Sequence, residues 1–171
     1  RHIPGFQSLE RVSVVSIANR SLESSRKAAD LFGVPKAVAH WEEVVKDPEV
    51  DAICIGTWPN MHAEVTMAAL SAGKHVLTEA RMARNLTEAQ AMLKAAKAYP
   101  DLVVQIVPAP FSLNHDSTIQ RLLGELGPLR EVSVVHRFGA AASAQTPRTW
   151  RQDFELSGVN THAMGILYET V

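Results

Sequence analysis

Short apolar runs rich in β-branched residues alternate with helical patterns along most of the chain, and this alternation constrains the fold most strongly. The apolar runs are Val12–Ala18, Asp51–Gly56, Lys74–Leu77 and Leu102–Val107. Strands separated by helices of about a dozen residues predict βαβ units and a doubly wound, mostly parallel α/β sheet. Because the second run is continuously apolar, we expect its strand to be buried on both faces, and we expect the fourth run to form a further buried strand.

The helices between these runs have recognisable ends. A helix over Ser21–Phe32 has Ser21 as a suitable N-cap and Gly33 as a suitable residue to end it. A short helix is expected at Trp41–Lys46, and a longer one at Asn60–Ala72.

A further helix is expected to open at Asn85, where Glu88 completes a sequence that resembles a capping box. Its apolar residues are spaced by three and four positions, which is typical of an amphipathic helix with one buried face. The residues of this face are Leu86, Ala89, Leu93 and Ala96.

The pattern changes after Pro108, which indicates a domain boundary near 108–112. A helix is expected at Leu113–Leu123, followed by the extended stretch Leu129–Phe138 and a loop of small and polar residues. The chain therefore divides into an α/β domain, 1–110, and the beginning of an α+β domain, 111–171.

Composition excludes several classes of function. The chain of 171 residues is 46% hydrophobic and 20% charged, with a net charge of −1, so neither nucleic acid nor an anionic membrane is an expected partner. No apolar run approaches the roughly 20 residues of a membrane span, and the histidines show no metal-ligand spacing. The single cysteine, Cys54, cannot form an intrachain disulfide; we interpret it as a core residue of a cytoplasmic protein. The start at Arg1 and the apolar end predict truncation at both ends.

Ligands bind at the carboxyl ends of the strands in sheets of this type, so three loops are candidates, Ala18–Ser21, Gly56–His62 and Thr78–Arg84. The first loop contains Arg20 and no acidic residue. An acidic residue there binds the ribose 2′-hydroxyl of NAD, whereas an arginine accommodates the 2′-phosphate of NADP. If the ligand is a dinucleotide, Arg20 therefore favours NADP slightly over NAD.

Two of these regions carry distinctive strings, DAICIGTWPNMH over 51–62 and AGKHVLTEARMA over 72–83. In this order and spacing they resemble the Gfo/Idh/MocA oxidoreductase family, the glucose–fructose oxidoreductase and inositol dehydrogenase type. The resemblance covers essentially the whole chain. It implies a Rossmann-like NAD(P)-binding domain whose first strand and glycine-rich turn would lie upstream of Arg1, so that the sheet lacks its first strand here. It also implies the start of a substrate and oligomerisation domain.

The resemblance and the position of the loops together imply a set of cofactor-binding residues. Trp58 is an extra residue in the family's Thr-Pro-Asn turn, and Asn60 could instead be the N-cap of the next helix. The implied cofactor-binding residues are Asn19, Arg20, Ser21, Thr57, Trp58, Pro59, Asn60, His62 and Glu79.

Glu79-Ala80-Arg81 departs from the family's Glu-Lys-Pro, whose lysine assists proton transfer. Ala80 removes that amine. Arg81 stays protonated and is a poor acid–base group, although it can orient a carbonyl or stabilise an alkoxide. It is therefore a candidate catalytic residue, and a solvated charge near a helix start is the other interpretation.

The C-terminal sequence resembles the segment leading to the family's catalytic G-x-H-x-x-D helix, and two alignments are open. In the favoured one, Gly165-Ile166 matches the family's glycine and its neighbour, which puts Leu167 at the histidine and Thr170 at the aspartate. In the other, His162 is the histidine and Asn160 replaces the glycine. A histidine can move a proton to or from a hydroxyl, so His162 is a candidate catalytic residue, or else a packing residue.

The function implied by the resemblance is hydride transfer between NAD(P) and a hydroxyl or carbonyl carbon of a sugar, polyol or related compound. Ala80 and Leu167 favour an alternative, a nucleotide-binding protein of the same fold with a regulatory or scaffolding role. An unrelated doubly wound domain, such as a flavodoxin-like receiver, is a third interpretation. The implied partners are a carbohydrate-like small molecule and, in the full-length protein, a second copy. Without a glycine-rich turn, we expect this chain by itself to bind dinucleotide weakly and to be inactive.

Overall fold

The computed structural model describes residues 2–107, 116–128, 130–131 and 150–158, in which short strands alternate with helices. The strands are β1 (Ser16–Ala18), β2 (Lys36–Val38), β3 (Ala52–Ile55), β4 (His75–Thr78) and β5 (Val104–Ile106). The helices are α1 (His2–Gln7), α2 (Leu22–Phe32), α3 (Trp41–Lys46), α4 (Pro59–Ser71), α5 (Leu86–Ala98), α6 (Asp116–Leu126) and α7 (Phe154–Ser157), with a 3₁₀ turn at Trp150–Gln152.

The strands pair in parallel, which confirms the expected α/β architecture. β1 pairs with β2, and β3, β4 and β5 form a second ladder in that order. Ile55 at the end of β3 lies opposite Thr78 at the end of β4. Within the described residues the two ladders do not pair with each other.

One apolar core joins these elements. Helix α4 packs on β3 and β4, and α3 contacts both β1 and α4, so α3 ties the two-stranded ladder to the rest. Each core side chain is at most 7% exposed. The core residues are Val45, Val50, Ile53, Ile55, Val65, Ala69, Leu70 and Val76.

Burial of β3 on both faces, expected from its continuous apolarity, is wrong, and so is the expectation that β5 is a buried strand. In β3 the side chains of Ile53 and Ile55 are buried, whereas Ala52 and Cys54 are exposed. β5 lies at the edge of its ladder, with Ile106 38% exposed. Among the described residues, the helices cover one face of β3, so Cys54 is not the core residue that the sequence indicated.

Helix ends follow the sequence closely in α2 and less so in α4. The Ser21 hydroxyl accepts the Ser24 backbone N–H at 3.2 Å, and Gly33 ends α2 at a φ of 66°, a left-handed conformation that favours glycine. Asn60 is not an N-cap, because α4 begins at Pro59 with Trp58 as its cap. A proline is favoured at the first helical position, where its missing N–H has no partner to lose.

The N-cap at Asn85 is confirmed, since its side chain accepts the Glu88 N–H at 2.9 Å. The predicted buried face of α5 is partly wrong. Leu86 is 71% exposed and Leu93 is 53% exposed, whereas Met92 is only 4% exposed. The helix therefore packs through the side that carries Met92 and its neighbouring alanines, which lets it approach the core closely.

Further sequence predictions differ from the structure or fall on residues that the structure does not describe. β1 begins at Ser16 rather than Val12, because β2 offers a ladder of only three residues. α6 continues through Gly124 to Leu126. The predicted domain boundary at 108–112, the extended stretch 129–138 and the loop 139–149 lie outside the residues described. No helix within the described part has the length and apolarity needed to cross a membrane.

Replacing Leu70 with alanine should lower the free energy of unfolding by about 2–5 kcal/mol, because its side chain is fully buried at 0% exposure. Leu93→Ala is the matched control, and its 53% exposed side chain should cost less than about 0.5 kcal/mol. Urea unfolding followed by circular dichroism measures both. Equal losses in the two variants would contradict the assigned core.

Candidate functional site

The loops after β3 and β4 lie side by side at the carboxyl edge of the three-stranded ladder. We call residues 56–58 the β3 loop and residues 79–84 the β4 loop. The Glu79 N–H donates to the Ile55 carbonyl at 3.1 Å, so the β4 loop leaves its strand beside the end of β3. Parallel strands end at the same edge, which brings the two loops together as the sequence predicted.

His62 connects these two loops from inside the protein. It lies in the first turn of α4 and is 1% exposed. Its Nε2 is 3.0 Å from the Thr57 carbonyl oxygen, and its Nδ1 is 2.7 Å from the Arg81 carbonyl oxygen. The sequence placed His62 among the cofactor contacts, whereas the structure turns both of its ring nitrogens towards the backbone of the loops.

Arg81 is buried, at 8% exposure, so its interpretation as a solvated charge is wrong. Its neighbour Ala80 is exposed. The position where the family carries its lysine therefore presents a methyl group, which can neither donate nor accept a proton. The catalytic role suggested for Arg81 stays a prediction.

The polar groups of this edge include acceptors that nothing in the described residues uses. Asn60 is half-buried, and its Oδ1 is buried without a hydrogen-bond partner there. The same holds for Oγ1 of Thr78 at the end of β4. Thr57 is exposed, and its hydroxyl donates to the Trp58 carbonyl at 3.2 Å.

Glu79 has a partner that sequence reasoning did not find. Its carboxylate contacts Nε2 of His2 in α1, and both side chains are about one third exposed, at 34% and 33%. The two residues are far apart in the sequence, and no pattern signals the pair.

Glu79 also affects the thiol of Cys54. Desolvation, together with the negative charge of Glu79, raises the pKa of the Cys54 thiol, so this thiol stays protonated near neutral pH.

The turn 19–21 follows β1 in the two-stranded ladder. The Asn19 side chain accepts the Arg20 N–H at 2.8 Å, and the Asn19 N–H donates to the Ser25 hydroxyl at 2.8 Å. Ser21 caps α2. These contacts shape the turn, while the Arg20 side chain is exposed to solvent, where it can meet an anionic group.

A segment far along the chain, 150–158, contacts the same edge through an aromatic pair. The rings of Trp58 and Trp150 are stacked, with centroids 6.3 Å apart and planes inclined by 23°. The guanidinium carbon of Arg151 lies 4.4 Å from the centre of the Trp150 ring. Trp58 therefore packs against protein on one side, which the sequence did not indicate because its partner is so distant in the chain.

The other end of this segment lies against the β4 loop. A Cβ at Gly158 would fall 2.1 Å from the Arg84 carbonyl oxygen, and Gly158 has a φ of 77°, so only glycine fits this close approach. His162 and the alternative positions Leu167 and Thr170 lie outside the described residues, and their roles stay predictions.

Arg84 and Glu88 fix the end of the β4 loop. The Glu88 carboxylate accepts the Arg84 backbone N–H at 3.0 Å and the guanidinium Nε and Nη2 at 2.8 and 2.5 Å. Burial works to raise the pKa of Glu88, but these hydrogen bonds and the charges of Arg84 and His62 outweigh it and lower that pKa. Glu88 is thus held as a carboxylate. It accepts the backbone N–H of Arg84, one residue before the N-cap Asn85, whose N–H is the donor in a standard capping box.

Parallel strands, crossover helices and polar loops at the carboxyl edge define a nucleotide-binding domain of the Rossmann class. Residues 1–106 match the family described as GFO_IDH_MocA, an oxidoreductase family with an NAD-binding Rossmann fold. The chain belongs to this family, as the sequence motifs predicted.

The named relatives to which the chain is similar include both a reductase and a dehydrogenase. The chain is 43% identical over 84 residues to 1,5-anhydro-D-fructose reductase of Ensifer adhaerens, across 49% of this chain and 25% of the relative. It is 32% identical over 139 residues to trans-1,2-dihydrobenzene-1,2-diol dehydrogenase of Danio rerio, across 81% and 41%.

Among solved structures, biliverdin reductase from Synechocystis sp. PCC 6803, in complex with biliverdin and NADP+, superposes with a TM-score of 0.64 at 27% identity. The superposition covers 74% of this chain and 39% of that one. The chain thus spans between a quarter and about two fifths of the length of these three relatives, which are 25%, 41% and 39% covered.

Glu88→Gln should lower the free energy of unfolding near neutral pH by about 1–2 kcal/mol, since it weakens charge-assisted hydrogen bonds of a partly exposed pair. The folded pKa of Glu88 is depressed, so its stabilising effect is present above its unfolded pKa and is lost as pH falls through the folded value. The variant and the wild type should therefore converge as the pH falls through the folded pKa of Glu88, which lies below the usual range of a glutamate. Denaturant unfolding across pH checks this, with the exposed Glu64→Gln as control. A gap between variant and wild type that persists in acid would contradict it.

Proposed function

We propose that the full-length protein carrying this chain is an NAD(P)-dependent oxidoreductase that acts on a hydroxyl or carbonyl carbon of a sugar, polyol or related compound. The observation that carries the proposal is the pair of polar loops that lie side by side at one sheet edge and are joined by His62. When bound, NAD(P) supplies the site at which a hydride is accepted or donated. The named relatives reduce or oxidise a sugar derivative, a diol and a tetrapyrrole, which supports a small-molecule substrate.

The residues that would hold the cofactor are those of the three loops. Arg20, exposed in a turn without an acid, would contact a 2′-phosphate, so NADP is preferred slightly over NAD. Thr57, Trp58, Pro59 and Asn60 would line the middle of the cofactor site, with Glu79 beside them. Asn19 and Ser21 would contribute chiefly by shaping the turn that presents Arg20.

A second candidate function is nucleotide binding without turnover. Ala80 favours it, because an exposed methyl group stands where the family's proton-transferring lysine belongs. Arg81 is buried beside it and, being permanently protonated, is a poor substitute for an acid–base group. In the oxidoreductase, proton transfer would therefore fall to another group, for which His162 is the candidate.

We further propose a cytoplasmic location and a homo-oligomeric full-length protein. A free thiol at Cys54, exposed on β3, suits a reducing compartment. In this proposal, a second domain that begins at about residue 111 would supply the contact between subunits.

Activity separates the two candidate functions. Purified full-length protein is to be incubated with NAD+ or NADP+ and a panel of polyols and sugars, and the appearance of reduced cofactor is followed by its absorbance. Turnover of any substrate supports the oxidoreductase. Cofactor binding without turnover across the panel supports the second candidate.

Arg20→Asp in the full-length protein should weaken NADP binding about 10–100-fold and change NAD binding less than about threefold, because it removes a charge-assisted contact to the 2′-phosphate. Arg26→Asp makes the same charge change at an exposed position on α2 and is the control. Calorimetric titration with both cofactors measures the two affinities. An equal loss for NAD and NADP would count against Arg20 as the specificity residue.

A further inference from the structure

Segment 150–158 is a compact unit with hydrogen bonds of its own. It consists of a 3₁₀ turn followed by α7. The Asp153 N–H donates to the Trp150 carbonyl at 3.2 Å, and the Ser157 hydroxyl donates to the Arg151 carbonyl at 3.1 Å. These bonds tie the turn to the helix, so the two ends of the segment keep a fixed separation.

The two ends of this segment contact different loops of the proposed cofactor edge. At its start, the Trp150 ring stacks on Trp58, the last residue of the β3 loop, with 6.3 Å between the ring centroids. At its end, Gly158 lies against the backbone of Arg84, the last residue of the β4 loop. Between these two points α7 contacts α4, the helix that separates the loops in the chain. The segment therefore connects the β3 loop to the β4 loop through tertiary contacts.

The ring of Trp58 is closely coupled to the backbone of the β3 loop, because Pro59 follows it. A residue before proline is restricted to extended backbone, and Trp58 has a φ of −76° and a ψ of 156°. Trp58 is the N-cap of α4, but its side chain makes no capping hydrogen bond, so ring contacts hold it instead. A partner that holds this ring therefore also fixes the neighbouring residues Thr57 and Asn60.

We propose that Trp150 is a positioning residue: through its stack on Trp58 it fixes the β3 loop in the arrangement that binds the cofactor. Segment 150–158 braces the β3 loop against the β4 loop. The inference rests on the proposed function, since it assigns a task to residues around the proposed cofactor site. Trp150 acts through Trp58, and its role requires no contact with the cofactor itself.

Two interactions stabilise the stack. Stacked aromatic rings attract each other beyond what the burial of their area contributes. The guanidinium carbon of Arg151 lies 4.4 Å from the centre of the Trp150 ring, which is within the range of a cation–π interaction. Both indoles are half-buried, so water screens these attractions less than at an open surface. The pair is formed before any ligand binds, and ordering of the β3 loop is therefore not a cost of binding.

Loss of the stack should weaken cofactor binding, because the β3 loop would then have to be ordered by the cofactor. Trp150→Leu in the full-length protein should bind NADPH about tenfold more weakly, the equivalent of about 1.4 kcal/mol. Trp150→Phe keeps an aromatic ring and should stay within about threefold of the wild type. Phe154→Leu is the matched control, since it changes an aromatic residue of the same segment that is 63% exposed, and it should bind like the wild type.

A double-mutant cycle tests whether Trp150 acts through Trp58. In a Trp58→Leu background, the change Trp150→Leu should lower NADPH affinity further by less than about twofold, because the stack is already lost. Full additivity of the two substitutions would overturn the proposal. If Trp150→Leu does not fold, Arg151→Ala takes its place, since it removes the cation over the ring at an exposed position and should weaken binding about threefold. Wild-type affinity in that variant would also overturn the proposal.

The stack itself is measured without cofactor, in the full-length protein labelled at tryptophan. A through-space magnetic contact between the ring protons of the two indoles is expected, and its loss in Trp58→Phe and in Trp150→Phe assigns it. Trp41→Phe, which alters the tryptophan at the start of α3, should leave the contact unchanged. A wild-type protein without this contact would contradict the proposed brace.

These measurements separate the positioning role from the proposed function. Failure of the wild type to bind NADPH or NADH would refute the dinucleotide site, and with it the role of Trp150, while the contact between the rings would still be observed. Equal NADPH binding by the wild type and Trp150→Leu would refute the positioning role alone.

Discussion

The parallel pairing of β3 with β4 is the constraint on which the candidate site depends. Ile55 lies opposite Thr78, so both strands end at the same level and their loops begin side by side. The pairing is possible because α4 crosses between the strands and buries its apolar side against them, with Leu70 at 0% exposure. A shift in the pairing register of β3 and β4 would move the two loops apart, and their polar residues would no longer lie at one edge.

Backbone contacts, more than side chains, define this edge. The β4 loop is held on one side by the Glu79 N–H on the Ile55 carbonyl and beneath by His62. At its far end it is fixed by Glu88, and Gly158 lies against its backbone. The loop is therefore constrained from several directions before any ligand binds, which reduces the ordering cost that binding has to overcome.

Much of this could be predicted from the sequence, where the signals were local. The caps at Ser21 and Asn85 are set by short-range hydrogen bonds within one turn, and the parallel α/β architecture follows from the alternation of elements. It was harder to predict from the sequence which faces of the strands and helices are buried. Cys54 and Leu93 are apolar residues at positions that no described element covers, and the sequence gives no measure of that coverage.

Contacts between distant segments could not be predicted at all. Tertiary packing determines the stacking of Trp150 on Trp58, the contact of His2 with Glu79 and the inward orientation of His62. Residue type and spacing carry no information about these contacts. The family resemblance placed His62 among the cofactor contacts, whereas the structure shows that its ring nitrogens face the carbonyls of both loops. The burial of Arg81 also depends on tertiary packing and could not be predicted, because a charged side chain suggests a surface position.

The most direct test of the account is to map where the full-length protein responds to NADPH, by backbone amide chemical shifts or hydrogen exchange. The account predicts that the largest changes cluster at the carboxyl ends of the strands, in residues 19–21, 57–60 and 79–81. Changes concentrated at the opposite edge, around Gly73 and residues 101–102 where β4 and β5 begin, would contradict the assignment of the site.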